Sequence, residues 1–260
     1  MTSTSVRRHK ATGLVVLLAG LVATGVGYAA VTSTAEAAPT TASAAVIDQG
    51  KQLYLEGCSS CHGLAAQGTS EGPGLIGVGA AAVDFQVSTG RMPLAQPAQQ
   101  APRKTPIYTE EQVAALAAFV ASLGPGPAIP SASDLDTSDA DLATGGVLFR
   151  TNCAQCHNFA GRGGALSDGK YAPSLMNATP REIYEAMLTG PQNMPNFPNS
   201  SLDVKSKQEI IKYIDHLQTA TAPGGFELGS YGPVTEGVFI WTAGLGALLL
   251  AAVWIGAKVR

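Results

Sequence analysis

Cysteine is scarce in this chain, and none of it is spare. Four cysteines occur in 260 residues, all within two copies of one pentapeptide: Cys58-Ser59-Ser60-Cys61-His62 and Cys153-Ala154-Gln155-Cys156-His157. A zinc site would need further Cys or His ligands at finger-like spacing, and these are missing. A thioredoxin-type pair expects a βαβ setting, whereas the pattern around both motifs is helical. A plain disulfide is the remaining bland alternative. Charge is sparse as well, at 13% of residues against 45% hydrophobic. Between positions 38 and 236, 11 basic residues face 18 acidic ones, for a net charge of −7. No basic stripe is available, which argues against nucleic-acid binding. The acidity suits docking of a basic partner, or serves only solubility.

What the chain does have is C-x-x-C-H, twice, the attachment signature of c-type haem. Each cysteine sulfur adds across one porphyrin vinyl group. Two intervening residues let both sulfurs reach their vinyls from one short stretch of backbone. The histidine follows directly and arrives under the iron as proximal ligand. On this reading Cys58, Cys61, Cys153 and Cys156 hold two covalent haems, and His62 and His157 are iron ligands.

Two long runs carry no charge at all. Gly13 to Val31 is uncharged for 19 residues and follows Arg7-Arg8-His9-Lys10. A basic flank stays cytoplasmic and sends the following chain across the membrane. The length favours a retained anchor, with cleavage after the small-residue stretch Ala35-Glu36-Ala37 as the alternative. Gly237 to Ala257 is uncharged for 21 residues, bears Phe239, Trp241 and Trp254 towards its ends, and is followed by Lys258 and Arg260. That is the pattern of a spanning helix with a cytoplasmic exit.

Pro/Gly/Ser-rich stretches divide the remainder. The expected organisation is 1–45 for the basic flank, the N-terminal hydrophobic segment (13–31) and a linker; 46–123 for a first folded unit; 124–135 for a linker; 136–218 for a second unit; 219–236 for a linker; 237–257 for the C-terminal transmembrane helix; and 258–260 for the tail.

The two units repeat each other. Gly50-x-x-Leu53-Tyr54 matches Gly145-x-x-Leu148-Phe149, each within a helix leading into its C-x-x-C-H. Glycine weakens a helix by about 1 kcal/mol relative to alanine, so its recurrence implies close approach of a second helix. That helix is predicted after the capping signal Thr109-Glu110-Glu111-Gln112 in one unit and after Asp203 in the other. Leu116, Phe119, Val120 and Leu123 match Ile210, Tyr213, Ile214 and Leu217. Phe119 and Tyr213 are expected to cross the helices that bear Gly50 and Gly145. Pro73 matches Pro173; either is a carbonyl partner for the haem histidine's second nitrogen or simply a turn proline.

Haem held by His and Met has a raised potential and no open site. Met92 is the only methionine of the first unit; the second offers Met176, Met187 and Met194. Met187 falls in a helix predicted after Thr179-Pro180-x-Glu182 and reads as core filler. Met194 alone repeats the Gly…Met-Pro setting of Gly90-Arg91-Met92-Pro93, so Met92 and Met194 are the expected distal ligands. His216 is expected near a helix C-terminus, and Arg103-Lys104 in a solvated, proline-bounded loop, with a haem propionate or a partner as the sharper alternative. No catalytic residue, general acid or base is expected.

Together these features resemble class I cytochrome c domains. The tandem arrangement and the stretches Phe85–Pro93, Leu148–Phe159 and Gly169–Pro173 are similar to the dihaem cytochrome c subunit (cytochrome cc) of the actinobacterial cytochrome bcc complex, a menaquinol–cytochrome c reductase. The resemblance implies an all-α fold of two tandem class I cytochrome c domains. It also implies electron transfer from a Rieske iron–sulfur centre through two haems to the copper centre of an aa3-type oxidase. The implied partners are a cytochrome b subunit, the Rieske subunit, the aa3-type cytochrome c oxidase and membrane lipid, within a dimeric supercomplex. The chain alone would be an electron carrier, and an enzyme only as a subunit of the proton-translocating reductase. Its implied place is the plasma membrane as a multi-pass protein, with haem domains extracytoplasmic and both termini cytoplasmic if the first segment is retained. The rivals are a dihaem subunit of another periplasmic dehydrogenase and a dihaem peroxidase.

Overall fold

A computed structural model describes residues 5–32, 42–220, 228 and 233–258. Among the described residues up to Ala42 lies the helix α1 (Ser5–Thr32), whose apolar portion is Gly13–Val26. From Ser43 onward the chain folds into helices α2 (Ala44–Gly57), α3 (Ser59–His62), α4 (Ala80–Ser88) and α5 (Glu110–Ser122). Their counterparts in the second half are α6 (Leu142–Asn152), α7 (Ala154–His157), α8 (Pro180–Thr189) and α9 (Val204–Thr219). The expected helical class holds. It is interrupted among the described residues by one two-residue antiparallel ladder, Gly164–Ala165 against Tyr171–Ala172.

The helix starts follow from local chemistry. Thr109 closes a reciprocal capping box with Gln112, and Thr179 does so with Glu182, each satisfying amide groups that have no intrahelical acceptor. Asp141 and Asp203 accept from the amides of Thr144 and Ser206.

Each half is then built on one close helix crossing, α2 on α5 and α6 on α9. A Cβ on Gly50 would collide with the Ala115 carbonyl, and one on Gly145 with the Glu209 carbonyl. Beside these bare spots the aromatics pair: Tyr54 with Phe119 at 5.2 Å between centroids, Phe149 with Tyr213 at 5.4 Å, tilted by 46° and 45°. Tilted pairs at this spacing add to the burial of the rings themselves. Leu116, Val120 and Val113 complete the first core; Ile210, Ile211, Ile214 and Met187 complete the second.

The two halves meet through α4 and α8. Arg181 donates from Nη2 to Asp84 Oδ2 at 2.8 Å and from Nε to Glu185 Oε1 at 3.3 Å. Arg103 grips Glu182 with both terminal nitrogens, at 2.8 and 2.7 Å. The solvated loop expected for Arg103 is therefore a clasp between halves, because a bidentate carboxylate holds the guanidinium fork. Two glutamines add backbone-like pairs, Gln100 with the backbone N–H and C=O of Tyr171 and Gln192 with those of Ala101. Glu185 is fully buried, and burial followed by the adjacent Asp84 pushes its carboxyl up to about 9. Its Oε2 has no partner as an acceptor; carrying the proton, it becomes a donor towards Asp84.

At the C-terminal end, Val234–Lys258 forms 25 residues of helix whose most apolar 18-residue window has a mean hydropathy of 2.2, with none of that window buried. A π-helical turn, Ile240–Gly244, joins α10 (Pro233–Phe239) to α11 (Leu245–Lys258). At about 1.5 Å per residue this exceeds the about 30 Å of a bilayer's hydrocarbon core. The Lys258 ammonium rests 4.4 Å from the Trp254 ring centroid, a basic and aromatic end of the interfacial kind.

Gly50→Val should destabilise the first half by about 3 kcal/mol, because the clash is with backbone and cannot relax by a rotamer change. Denaturant unfolding of the full chain in detergent checks this; an unchanged midpoint contradicts the crossing. The joint carries a pH signature. A carboxyl raised in the folded state contributes stability that is present below its unfolded value and lost as pH rises through about 9. Unfolding midpoints should therefore fall between about pH 5 and pH 9, and Glu185→Gln, which keeps a donor and has no proton to lose, should flatten that slope. Equal slopes would place the proton elsewhere.

Candidate haem sites

The two C-x-x-C-H motifs are each a single helical turn. Cys58 and Cys153 stop the preceding helices, their amides bonding the carbonyls of Tyr54 and Phe149 at 2.8 Å. The His62 and His157 amides then reach back to the Cys58 and Cys153 carbonyls, at 3.0 and 2.9 Å. Spacing of i, i+3 and i+4 puts both sulfurs and the imidazole on one face. None of the four cysteines forms a disulfide. Burial, then the neighbouring thiol, pushes Cys58 and Cys153 up to about 11. Among the described residues no group of three or more His, Cys, Asp or Glu side chains is arranged to hold a metal ion.

Both histidines are locked through the same nitrogen. Nδ1 of His62 lies 2.7 Å from the Pro73 carbonyl, and Nδ1 of His157 lies 2.9 Å from the Pro173 carbonyl. A carbonyl only accepts, so Nδ1 carries the hydrogen and the Nε2 lone pair is left free to bind a metal. The prolines are thus the carbonyl partners of the two histidines. Burial lowers the His157 pKa, which favours the neutral, ligating form. Glycine makes room beside both motifs: a Cβ on Gly72 would press on the Cys61 carbonyl and His62 Cε1, and one on Gly164 on the Cys156 carbonyl.

In the second half these groups open onto a cavity of about 410 Å³. Cys153, Cys156 and His157 line it together with Met194. Its apolar wall is Ile183, Met187, Ile210, Ile214 and Phe197. Met187 is 2% exposed and packs in the core, as its helical setting implied. Met176 does not line the cavity; its methyl group lies over Gly161. In the first half, Cys58 and the half-buried Met92 pack against the same core cluster, and the Met92 amide bonds the Gln86 carbonyl at 2.9 Å. His216 sits exposed in the last turn of α9.

A donor set of two thiols, a tautomer-locked imidazole and a thioether, facing an apolar cavity, fits covalent haem. The residues that sequence reasoning missed are those the first half lends to the second cavity: Phe85, Arg91, Ala101 and Pro102, with Arg103 beside them. The internal repeat compares the halves with each other and carries no signal for contacts between them.

Comparison with known proteins agrees with this geometry. A family model described as "Cytochrome c" matches residues 47–124, and one described as "Cytochrome C oxidase, cbb3-type, subunit III" matches residues 140–214. The chain is 46% identical to the cytochrome bc1 complex cytochrome c subunit of Corynebacterium efficiens, over 96% of this chain and 90% of that one. It is 46% identical to the Mycobacterium bovis subunit of the same name, over 99% and 94%, and 45% identical to that of Mycobacterium leprae, over 95% and 87%. With two cytochrome c domains and near-full-length identity of this order, the chain belongs to the family of cytochrome bc1 complex cytochrome c subunits.

Proposed function

We propose that this chain is the membrane-anchored dihaem electron carrier of a quinol-oxidising complex. It would stand between a Rieske iron–sulfur centre and the copper centre of an aa3-type oxidase. Cys58 and Cys61 would hold one porphyrin and Cys153 and Cys156 the other; His62 with Met92, and His157 with Met194, would supply the iron ligands. When bound, each group supplies a one-electron ferric–ferrous couple whose potential His/Met ligation raises. The observation that carries the reading is the twofold recurrence of one constellation: C-x-x-C-H in a helical turn and imidazole Nδ1 on a proline carbonyl. In the second half that constellation lines one cavity together with Met194.

The chain's own residues do the remaining work. Pro73 and Pro173 fix the imidazole tautomer, so the lone pair needs no reorganisation on binding iron. Ile183, Ile210, Ile214 and Phe197 exclude water from the second site, which favours the form with less charge on the metal. Met194, a soft neutral ligand, favours the reduced metal and leaves no open position for a substrate. That favours transfer over peroxidase chemistry. The C-terminal helix would tether the domains at the membrane, with the N-terminal segment as a second span and the haem domains outside. The cytochrome b subunit and the Rieske subunit are the proposed neighbours within the complex, and the oxidase is the proposed acceptor in a dimeric supercomplex.

Met194→His should lower the potential of one haem and leave the other in place, because imidazole replaces a thioether. A redox titration in which neither potential moves would rule out Met194 as ligand. Cys61→Ala should leave the first haem on a single thioether and impair its loading. Unchanged haem stoichiometry and absorption spectrum would contradict the attachment.

A further inference from the structure

Arg91 has no counterpart in the repeat, because the second half places Asn193 before its Met-Pro. Its side chain belongs to the first half, yet it lines the cavity bounded by Cys156, His157 and Met194 of the second. The residue is 8% exposed, and its guanidinium carbon lies 4.7 Å from the Phe85 ring centroid. Its Nη1 is buried and makes no hydrogen bond. A guanidinium carries its charge at any physiological pH, so a buried nitrogen without an acceptor is costly unless something else supplies one. The nearby carboxylates are committed, Glu182 to Arg103 through two hydrogen bonds and Asp84 to Arg181. What is missing is an anionic oxygen inside the cavity.

We propose that Arg91, supplied by the first domain, anchors a propionate carboxylate of the haem held by Cys153, Cys156, His157 and Met194 of the second. This deepens the dihaem reading and rests on it. A carboxylate is the group that the guanidinium fork binds best, and the Phe85 ring holds the guanidinium carbon in place at 4.7 Å from its centroid. The contact makes the second site composite: its axial ligands come from one domain and its propionate counter-charge from the other. It also has an electrical consequence. An unpaired propionate favours the ferric state of the iron beside it, and a fixed cation on that propionate offsets the bias. Arg91 thereby raises the potential of the second haem, although in the chain it adjoins the ligand proposed for the first.

The test uses the full chain in detergent, carrying two haems by pyridine haemochrome. A count other than two in the unsubstituted chain would defeat the dihaem reading itself, separately from the role of Arg91. The second haem is identified as the one whose potential Met194→His moves. Arg91→Gln should then shift the ferric-to-ferrous ratio of that haem about tenfold towards ferric at fixed potential, a fall of about 59 mV for one electron. The first haem should stay in place. A fall confined to the first haem, or no fall in either, overturns the proposal. If Arg91→Gln fails to load both haems, Arg91→Lys decides: with the charge kept and the fork lost, it should give a smaller fall in the same haem. No fall, or a fall in the first haem, overturns it equally.

Discussion

One hydrogen bond, made twice, organises both sites: imidazole Nδ1–H to a proline carbonyl, His62 to Pro73 and His157 to Pro173. It turns a titratable ring into a fixed donor of one lone pair. Much of each half exists to hold its two ends. The imidazole end is set by the helical turn of C-x-x-C-H, which hangs from the end of α2 or α6. Those helices are located by the crossings over Gly50 and Gly145, where only the absence of a side chain lets two backbones touch. The carbonyl end is held by return bonds of the loop, Leu75 to Ala66 in the first half and Leu175 to Gly161 in the second, each at 2.8 Å.

The joint between the halves has a different character from either core. It is polar, with one arginine clasp, a carboxyl–carboxylate pair under a second arginine, and two glutamines standing in for backbone partners. Polar joints of this kind specify one arrangement more than they add stability, since each buried charge must recover its desolvation cost from its partner. Here the arrangement matters, because residues of the first half form part of the second cavity. Proposed as an electron carrier, the chain gains from a joint that keeps two haem sites at one fixed separation.

The sequence disclosed the parts that repeat. The crossings over Gly50 and Gly145 were legible because Phe119 and Tyr213 recur at matched positions on helices of the same period. The capping residues Thr109, Thr179 and Asp203 were legible because their bonds are local. Pro73 and Pro173 were legible only as alternatives, since a turn proline and a carbonyl acceptor look alike in one dimension. Arg103 reads as a solvated loop residue and instead clasps Glu182, 79 positions away. Asp84, Arg181 and Glu185 gave no sign at all: contacts between unlike surfaces of two repeats follow no period. The small ladder at Gly164–Ala165 is too short to leave an alternating pattern.

The central claim is that two porphyrins are stitched to this chain, one at each C-x-x-C-H. Intact mass of the purified chain, followed by mapping of its cysteine peptides, tests it most directly. The account predicts the mass of the polypeptide plus two haems, with Cys58, Cys61, Cys153 and Cys156 all refractory to thiol alkylation. A chain of bare polypeptide mass, or one whose cysteines all alkylate, would contradict it.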